Sequence, residues 1–324
     1  MLYPLKFKPV FKDKIWGGQK IKTNLGLDFS PLPNCGEAWS LSGVPGCQTV
    51  IANGFLEGNE LNEILEIYMD DLVGEKVYDR YGNEFPILVK FIDANDWLSI
   101  QVHPDDALAA RRNIGSGKTE MWYVLAADPG AELISGFNRK MNASAYLEVL
   151  NQNRLKEVLN IEKVQTGDVF FIPAGRIHAL GPGILLAEIQ QTSDTTYRIY
   201  DWDRVDNTGK SRELHTDLAV DAIDFNPVDS YRTNYRNAVN KPATLVDCPF
   251  FTTNLIEIDR ETVKDYCALD SFVIYICVEG NAEIMTGGAN VSLHCGEAML
   301  LPAVMEQVTL IPSARSKILE VYIL

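Results

Sequence analysis

Short apolar runs separated by turn residues dominate the chain and constrain its fold more than any other feature. Examples are FPILVKFIDA (85–94), EMWYVLAA (120–127) and DVFFIPA (168–174), which are bounded by Gly, Pro, Asn or Asp. Runs of this length and composition predict β-strands. The pattern therefore predicts a mainly β protein of the sandwich or barrel type, rather than alternating βαβ units.

A few segments instead repeat apolar residues at the three- and four-residue spacing of an amphipathic helix. Gly74 is a stop signal for the first of them, and Asp105 or Asp106 is a candidate N-cap for the second. The predicted helices span residues 59–74, 105–112, 142–160 and 211–225. They fall between strands, which indicates helical insertions in a β architecture.

Charge and composition exclude several classes of partner. The net charge is −15 and no sizeable basic block exists, so nucleic acid is not an expected partner. No apolar run reaches the roughly 18–20 residues of a membrane helix, and we expect neither a membrane association nor a signal peptide. The six cysteines form no C-x-x-C pair, as expected for reduced thiols. These features predict a cytoplasmic protein, and they do not exclude a small anionic substrate, because a few local cations can dominate inside a cleft.

Four side chains in three predicted strands form a candidate metal site. Gln101 and His103 alternate in LSIQVHPDD (98–106), so both point to the same face of their strand. Glu120 opens an apolar strand, where a buried carboxylate is costly unless a cation balances it, and His178 heads another strand. Taken singly, either histidine could be a hydrogen-bonded core residue, and Gln101 could be a surface amide. Together they suit catalytic Zn²⁺, although Fe²⁺ or Mn²⁺ would accept similar ligands.

The segment that leads to His178 has a specific spacing of turn residues. TGDVFFIPAGRIHALGPG (166–183) reads G-x₅-P-x-G-x₂-H and resembles the second sequence motif of the cupin barrels. Further motifs are WGG (16–18), GEAWSLS (36–42), SIQVHPDD (99–106), GKTEMWYVL (117–125) and AEIQQTSDTTYRIYDWDR (187–204). In combination they resemble the type I phosphomannose isomerases in their short bacterial form, over nearly all of the first 225 residues.

This resemblance implies a fold and a reaction. The implied fold is mainly β, with two cupin-type (jelly-roll) barrel domains that carry helical insertions. A polar stretch at 226–245 separates the predicted catalytic cupin domain, 1–235, from a smaller C-terminal β domain, 246–324. The implied reaction is the zinc-dependent interconversion of mannose 6-phosphate and fructose 6-phosphate, with one Zn²⁺ per chain.

The resemblance also implies roles for individual residues. The zinc ligands would be the four residues already singled out, Gln101, His103, Glu120 and His178. Arg198, in TYRIYDWDR, matches the catalytic arginine of the family. Lys118 matches the lysine of the K-x-E motif beside the metal, and Glu188 matches an acidic residue that lines the site.

One position departs from the pattern of the longer family members. Those proteins read His-Lys-Pro-Glu before the strand, whereas this chain reads Gly117-Lys118-Thr119-Glu120. A histidine proposed as an acid or base there has no counterpart. The base that moves the proton is therefore left open between a carboxylate such as Glu188 and a water on the metal.

The chemistry of an aldose–ketose isomerase is consistent with these residue types. A proton leaves the carbon next to a carbonyl and returns to the neighbouring carbon, through a cis-enediolate. A metal and a cation such as Arg198 stabilise the developing negative charge. The alternative for Arg198 is a structural ion pair with Asp201 or Asp203, and the alternative for Lys118 is a solvated loop lysine.

Residues that contact the rest of the substrate are harder to choose from sequence. Lys118, Lys90 and Arg204 are candidate donors to the phosphate, and spacing alone does not decide among them. Trp16 and Trp39 are candidate aromatic contacts for the sugar, although packing in the core is an equal alternative.

The C-terminal region repeats part of the metal motif without its ligand. CGEAMLLPAVMEQ (295–307) has the glycine and proline spacing of TGDVFFIPAGRIH (166–178), but Gln307 stands in the place of His178 and Val304 in that of a glycine. Because valine does not readily adopt a positive φ, the special geometry of that turn should also be lost. We expect a degenerate cupin-like domain there.

Two other functions remain as alternatives to an isomerase. One is an Fe²⁺-dependent cupin oxygenase, which also uses two histidines and a carboxylate. The other is a non-enzymatic cupin that binds a sugar-like ligand. The presence of Arg198, Lys118 and all four candidate metal ligands favours the isomerase.

Overall fold

The computed structural model describes residues 2–205 and 209–324, which divide into two compact units. The terminal unit comprises the N-terminal residues through Lys12 together with Gln19–Phe91 and Asn234–Leu324. The central unit comprises Asp13–Gly18 and Ile92–Thr233. No helix in the described part is both long enough and apolar enough to cross a membrane.

Antiparallel strands make up most of the regular structure. The first eleven are β1 (Leu5–Lys8), β2 (Val10–Lys12), β3 (Glu37–Leu41), β4 (Val50–Ile51), β5 (Ile87–Ala94), β6 (Ile100–Val102), β7 (Glu120–Ala127), β8 (Glu132–Phe137), β9 (Leu159–Lys163), β10 (Val169–Ile172) and β11 (His178–Leu180). The later strands are β12 (Ile184–Gln191), β13 (Tyr197–Tyr200), β14 (Pro242–Asp247), β15 (Thr252–Ile258), β16 (Thr262–Asp265), β17 (Val273–Glu279), β18 (Asn281–Thr286), β19 (Ala289–His294), β20 (Ala298–Leu301), β21 (Gln307–Pro312) and β22 (Ser316–Tyr322). The α-helices are α1 (Lys20–Leu25), α2 (Leu61–Val73), α3 (Glu75–Tyr81), α4 (Asp106–Arg112), α5 (Ala143–Asn151) and α6 (Thr216–Val220), and 3₁₀ turns span Gly54–Leu56 and Leu155–Glu157.

The central unit contains a five-stranded sheet in the order β13-β6-β11-β8-β9, and β7 pairs with β10 on one side and β12 on the other. Alternation along β6 separates polar from apolar side chains. Ile100 and Val102 are fully buried in an apolar cluster with Phe137 and Tyr146, so Gln101 between them points to the opposite face. The strand therefore carries a functional side chain on one face and core residues on the other.

The terminal unit contains a seven-stranded sheet, β14-β15-β22-β17-β20-β1-β4, and a four-stranded sheet, β16-β21-β18-β19. Both sheets contribute to one apolar core. Tyr275 and Ile318 come from the larger sheet, and Ile284 and Leu310 come from the smaller one. The predicted mainly β class is thus confirmed. Within the described residues the sheets are open antiparallel sheets, and none closes into the predicted barrel.

The compact units group the chain differently from the predicted domains. The prediction assigned residues 1–235 to one domain and 246–324 to another. In the structure, most of the first 91 residues belong to the same unit as 234–324. The reason is visible in the larger sheet of the terminal unit, where β1 pairs with β20 through the register Leu5↔Leu300. The predicted assignment of functions to 1–235 and 246–324 stays a prediction.

Two predicted helices are shorter in the structure than the periodicity indicated. The 142–160 segment is helical only to Asn151, because the following residues form a 3₁₀ turn and then β9, which pairs with β8. The 211–225 segment is helical only over Thr216–Val220. The backbone amides of His215 and Asp224 bond instead to distant carbonyls of the central unit, so they are not available to a longer helix.

The turns of the two repeated motifs have related but unequal geometry. Gly167 and Gly296 have φ angles of +88° and +86°, so the first turn is shared. Gly175 has a φ of +89°, whereas Val304, at the corresponding position of the repeat, is not among the residues with positive φ. The predicted loss of the special turn at Val304 is confirmed.

Gly175 should consequently tolerate substitution poorly. An added Cβ would lie 2.9 Å from the backbone oxygen of Ala222, in addition to the cost of the positive φ. We expect Gly175→Ala to lower the free energy of unfolding by about 1–3 kcal/mol in urea denaturation of the metal-free protein. Val304→Ala, at a residue that is 49% exposed, should change it by less than about 0.5 kcal/mol. Equal effects of the two substitutions would contradict this difference between the turns.

Candidate metal centre

Three ionisable side chains converge in the interior of the central unit. One ligand atom from each of His103, Glu120 and His178 lies within 4.8 Å of the others, and all three residues are at most 1% exposed. His103 directly follows β6, and Glu120 and His178 are the first residues of β7 and β11. Within the described residues, this is the one group of His, Cys, Asp and Glu side chains that could hold a metal ion.

Backbone carbonyls orient both imidazole rings. His103 Nδ1 lies 2.9 Å from the carbonyl oxygen of Thr195, and His178 Nδ1 lies 2.9 Å from that of Arg176. A carbonyl only accepts a hydrogen bond, so each Nδ1 carries a proton, and the neutral form of each ring has its lone pair on Nε2. Burial lowers the pKa of His178 to about 3, with a smaller upward effect from the Arg176 carbonyl. The His178 ring is therefore neutral and ready to act as a ligand.

The carboxylate of Glu120 lies at the centre of the cluster. Its oxygens are 3.5 Å from His103 Nε2 and 3.4 Å from His178 Nε2. Lys118 Nζ lies 2.7 Å from Glu120 Oε2 and 3.0 Å from His103 Nε2, and the lysine is only 4% exposed. The alternative of a solvated loop lysine is therefore wrong, because Lys118 balances a fully buried negative charge.

A row of cross-strand neighbours extends the cluster. Gln101 lies opposite His178 on one side and opposite Arg198 on the other, in the register of β11, β6 and β13. Cross-strand partners share a face of the sheet, so the three side chains point the same way. Gln101 Nε2 lies 3.1 Å from His178 Nε2. The predicted ligands Gln101, His103, Glu120 and His178 are thus brought together.

Arg198 is held by the backbone and not by the ion pair that was the alternative to a catalytic role. Its Nη1 donates to the carbonyl oxygen of Glu213 at 2.8 Å, and its Nε is buried without a hydrogen-bond partner among the described residues. Asp201 instead pairs with Arg204 and Arg212. The alternative of an ion pair with Asp201 or Asp203 is therefore not found in the described structure. Burial lowers the pKa of Arg198 without removing its charge at neutral pH.

Glu188 lies next to the cluster and contacts it through a tryptophan. Its Oε2 accepts a hydrogen bond from Trp122 Nε1 at 2.9 Å, and Glu188 is 3% exposed. The Trp122 ring packs edge-on against the His178 ring, with 5.3 Å between centroids. The negative charge of Glu188 also raises the pKa of His178 slightly. Glu188 is therefore beside the cluster and is not one of the three clustered ligands.

The structure also shows the surroundings of Trp16, Lys90 and Arg204. Trp16 is 4% exposed and packs in an apolar cluster of the central unit with Trp122. Lys90 belongs to the terminal unit, where its Nζ lies 4.9 Å from the centroid of the Trp39 ring. Arg204 is engaged by Asp201. The substrate-binding roles of Trp16 and Lys90 stay predictions.

Packing explains why no side chain occurs at position 117. A Cβ on Gly117 would lie 2.5 Å from the backbone nitrogen of Asp106 and 2.6 Å from the carbonyl carbon of Asp105. Real Cβ atoms do not approach backbone so closely, so a histidine at this position would require the chain to move. The histidine that stands at this place in the His-Lys-Pro-Glu pattern therefore does not fit in this chain.

Several residues that shape the site were not found from sequence. Thr195 and Arg176 supply the carbonyls that orient the imidazoles, Trp122 connects Glu188 to His178, and His215 Nδ1 accepts a hydrogen bond from the backbone of Arg198 at 3.1 Å. These contacts depend on backbone groups or on residues far apart in the chain. Of these residues, only Trp122 could have been found from local sequence, because it lies two residues after Glu120 and so on the same face of β7.

The fold and the cluster define a mainly β protein with a buried group of two histidines and a glutamate that could hold a metal ion. Family models match two parts of the chain: "Phosphomannose isomerase type I, catalytic domain" over residues 4–133, and "Mannose-6-phosphate isomerase, cupin domain" over residues 241–319. The chain belongs to the type I phosphomannose isomerase family.

Individual relatives agree with the family models. The mannose-6-phosphate isomerase of Streptococcus mutans is 34% identical over 303 residues, which cover 93% of each protein. Mannose-6-phosphate isomerase ManA of Bacillus subtilis is 35% identical over 305 residues, covering 92% of this chain and 93% of that protein. A crystal structure of the mannose 6-phosphate isomerase from Bacillus subtilis superposes over the whole of both chains with a TM-score of 0.89 and 32% identity. The chain is an isomerase of this family.

The cluster predicts binding of one divalent cation that depends on His178. We expect His178→Ala to weaken binding by more than about 100-fold, because it removes a direct ligand atom. His294→Ala is the control, since His294 is an exposed residue of the terminal unit. Titration with Zn²⁺ against a chelator of known affinity measures both. Unchanged affinity in His178→Ala would contradict the assignment.

Proposed function

We propose that the chain is a zinc-dependent ketol isomerase that interconverts mannose 6-phosphate and fructose 6-phosphate in the cytoplasm. The names of the Streptococcus and Bacillus relatives support this substrate. The single observation that carries the proposal is the convergence of His103, Glu120 and His178 within 4.8 Å, at a depth where no other function for two imidazoles and a carboxylate is evident.

The chemistry of the donor set supports zinc as the ion. Two imidazoles direct Nε2 toward Glu120, which presents carboxylate oxygens, and both groups are typical ligands of catalytic Zn²⁺. Gln101 would complete the set. Its amide now directs Nε2 toward His178, and a half-turn of the amide would present Oε1 instead. When bound, the ion would act as a Lewis acid toward the oxygens next to the migrating proton.

Arg198 and Lys118 are proposed to stabilise the negative charge of the cis-enediolate. Arg198 shares a face with Gln101, and its buried Nε has no hydrogen-bond partner in the described part of the chain, so it could donate to a substrate oxygen. Lys118 lies within the cluster, at 2.7 Å from Glu120. Two fixed cations at a water-poor site cost little reorganisation as charge develops, which is the usual source of such stabilisation.

Glu188 is the proposed base for the proton. Its carboxylate is buried beside the cluster, and Trp122 fixes one of its oxygens. In the forward direction it would accept the proton from the carbon next to the carbonyl and return it to the neighbouring carbon, while the hydroxyl proton passes between the two oxygens of the enediolate. Both transfers begin and end on the substrate, so no external reductant is needed. The absence of space for a side chain at Gly117 supports a base from another segment. A water activated at the site is the alternative.

We also propose that the chain contains two cupin-type domains of unequal function. The cupin model over 241–319 and the shared positive φ of Gly167 and Gly296 support a common origin of the two motifs. The catalytic domain, within 1–235, would hold the metal. The domain within 246–324 would serve packing or assembly, because Gln307 occupies the ligand position.

A coupled assay that follows fructose 6-phosphate tests the proposed reaction. The protein loaded with Zn²⁺ should produce fructose 6-phosphate from mannose 6-phosphate without consuming oxygen. Oxygen uptake with Fe²⁺, in the absence of isomerisation, would favour the oxygenase. Binding of the sugar phosphate without turnover would favour a binding protein.

Arg198→Ala should lower kcat strongly while metal content stays the same. The expected loss is about 10²–10³-fold, the usual effect of removing one donor that stabilises developing charge. Arg139→Ala, at an exposed arginine of the same unit, is the matched control. Normal turnover in Arg198→Ala would contradict a catalytic role for Arg198 and would leave it a structural role.

Glu188→Gln separates a base from a merely structural carboxylate. Glutamine keeps an oxygen that can accept the Trp122 hydrogen bond but cannot take the proton. We expect kcat to fall about 10²–10⁴-fold with metal content and melting temperature close to those of the parent protein. If Glu188→Gln retains its turnover, the base is a different group.

A further inference from the structure

Two side chains fasten the backbone on either side of Lys118. The backbone amide of Gly117 donates to Asp106 Oδ1 at 2.8 Å, and the backbone amide of Thr119 donates to Gln191 Oε1 at 2.9 Å. Lys118 and Glu120, which flank Thr119, form the buried ion pair of the site. The segment that carries them is therefore held by side chains from outside its own strand.

The two fastening side chains also contact each other. Gln191 Nε2 donates to Asp106 Oδ1 at 3.1 Å, so one carboxylate oxygen accepts from both Gln191 and Gly117. The backbone amide of Gln191 donates in turn to the carbonyl of Thr119 at 3.1 Å. Gln191 is 6% exposed and Thr119 is 3% exposed. We call Asp106 and Gln191 together the Asp106–Gln191 clamp.

The clamp is needed because the segment lies outside the sheet. Strand β7 begins at Glu120, so Gly117 and Thr119 have no ladder partner in β10 for their amides. Buried backbone amides require an acceptor. The missing side chain of Gly117 also lets the segment lie against the backbone of Asp105 and Asp106. The Lys118 amide donates to the backbone carbonyl of Pro104 at 3.0 Å, so side-chain acceptors hold the amides on either side of one backbone hydrogen bond.

We propose that Asp106 and Gln191 are positioning residues for the cation site. They act through Gly117 and Thr119 to fix the direction in which Lys118 and Glu120 enter the cluster. This inference rests on the proposed metal site and adds residues that touch neither metal nor substrate. Loss of the clamp leaves the ligands present but lets the segment shift, so cation affinity falls while the chain remains folded.

Gln191→Met removes both side-chain hydrogen bonds of Gln191 with little change of volume. Asp106→Ala removes the acceptor that Gln191 and Gly117 share. The measurement is the dissociation constant for Zn²⁺, by chelator competition, together with the melting temperature of the metal-free protein. We expect each variant to raise the dissociation constant about 10–100-fold. Because both act on one segment, the double variant should fall well short of the product of the two single effects.

Asp105→Ala is the matched control for a merely structural role. Asp105 precedes Asp106 and caps α4 by accepting from the amide of Leu108 at 2.7 Å. Its loss should lower the melting temperature and leave the Zn²⁺ dissociation constant within about twofold. Asp106→Asn keeps an oxygen that can accept from Gly117 and Gln191, so it should retain most of the affinity that Asp106→Ala loses.

The outcomes are distinguishable. A folded Gln191→Met variant that binds Zn²⁺ as tightly as the parent protein would contradict the positioning role of the clamp. So would a double variant whose Zn²⁺ dissociation constant rises by the full product of the two single effects. If Gln191→Met does not fold, Gln191→Glu replaces it, since glutamate keeps the acceptor for Thr119 but loses the donor to Asp106. Gln191→Glu should then also weaken binding, and parent affinity would overturn the clamp. A parent protein that binds no Zn²⁺ would overturn the proposed metal site itself.

Discussion

The carboxylate of Glu120 is the interaction on which the rest of the site depends. It is fully buried, and a buried carboxylate without cations around it is strongly unfavourable. Lys118 supplies one positive charge at 2.7 Å, and both imidazoles turn a lone pair toward the same volume. The buried charge is thereby surrounded by the groups that could hold a metal ion.

The sheets explain how such a cluster can be built from distant residues. Gln101, His178 and Arg198 lie in one row because β6 pairs with β11 on one side and β13 on the other. The same strands bury alternate residues in the core, so the positions of the functional side chains follow from packing of the opposite face. Residues outside the strands need other supports, which is the part that Asp106 and Gln191 play.

Sequence predicted which side chains converge better than it predicted the groups that support them. Gln101, His103, Glu120 and His178 stand at strand ends marked by Pro and Gly, and such signals are local. The orienting carbonyls of Thr195 and Arg176 carry no signal of residue type, because every residue has a carbonyl. The helix predicted at 211–225 was too long for a similar reason: its amides bond to distant segments that periodicity does not reveal.

The most direct measurement is the rate of fructose 6-phosphate formation from mannose 6-phosphate, in protein stripped of metal and then titrated with Zn²⁺. A site made by His103, Glu120 and His178 predicts almost no turnover in the stripped protein. Turnover should return in proportion to added Zn²⁺ and reach its maximum at one ion per chain, and His178→Ala should fail to recover. Full turnover in the stripped protein, or recovery of His178→Ala equal to that of the parent, would contradict a catalytic metal at this cluster.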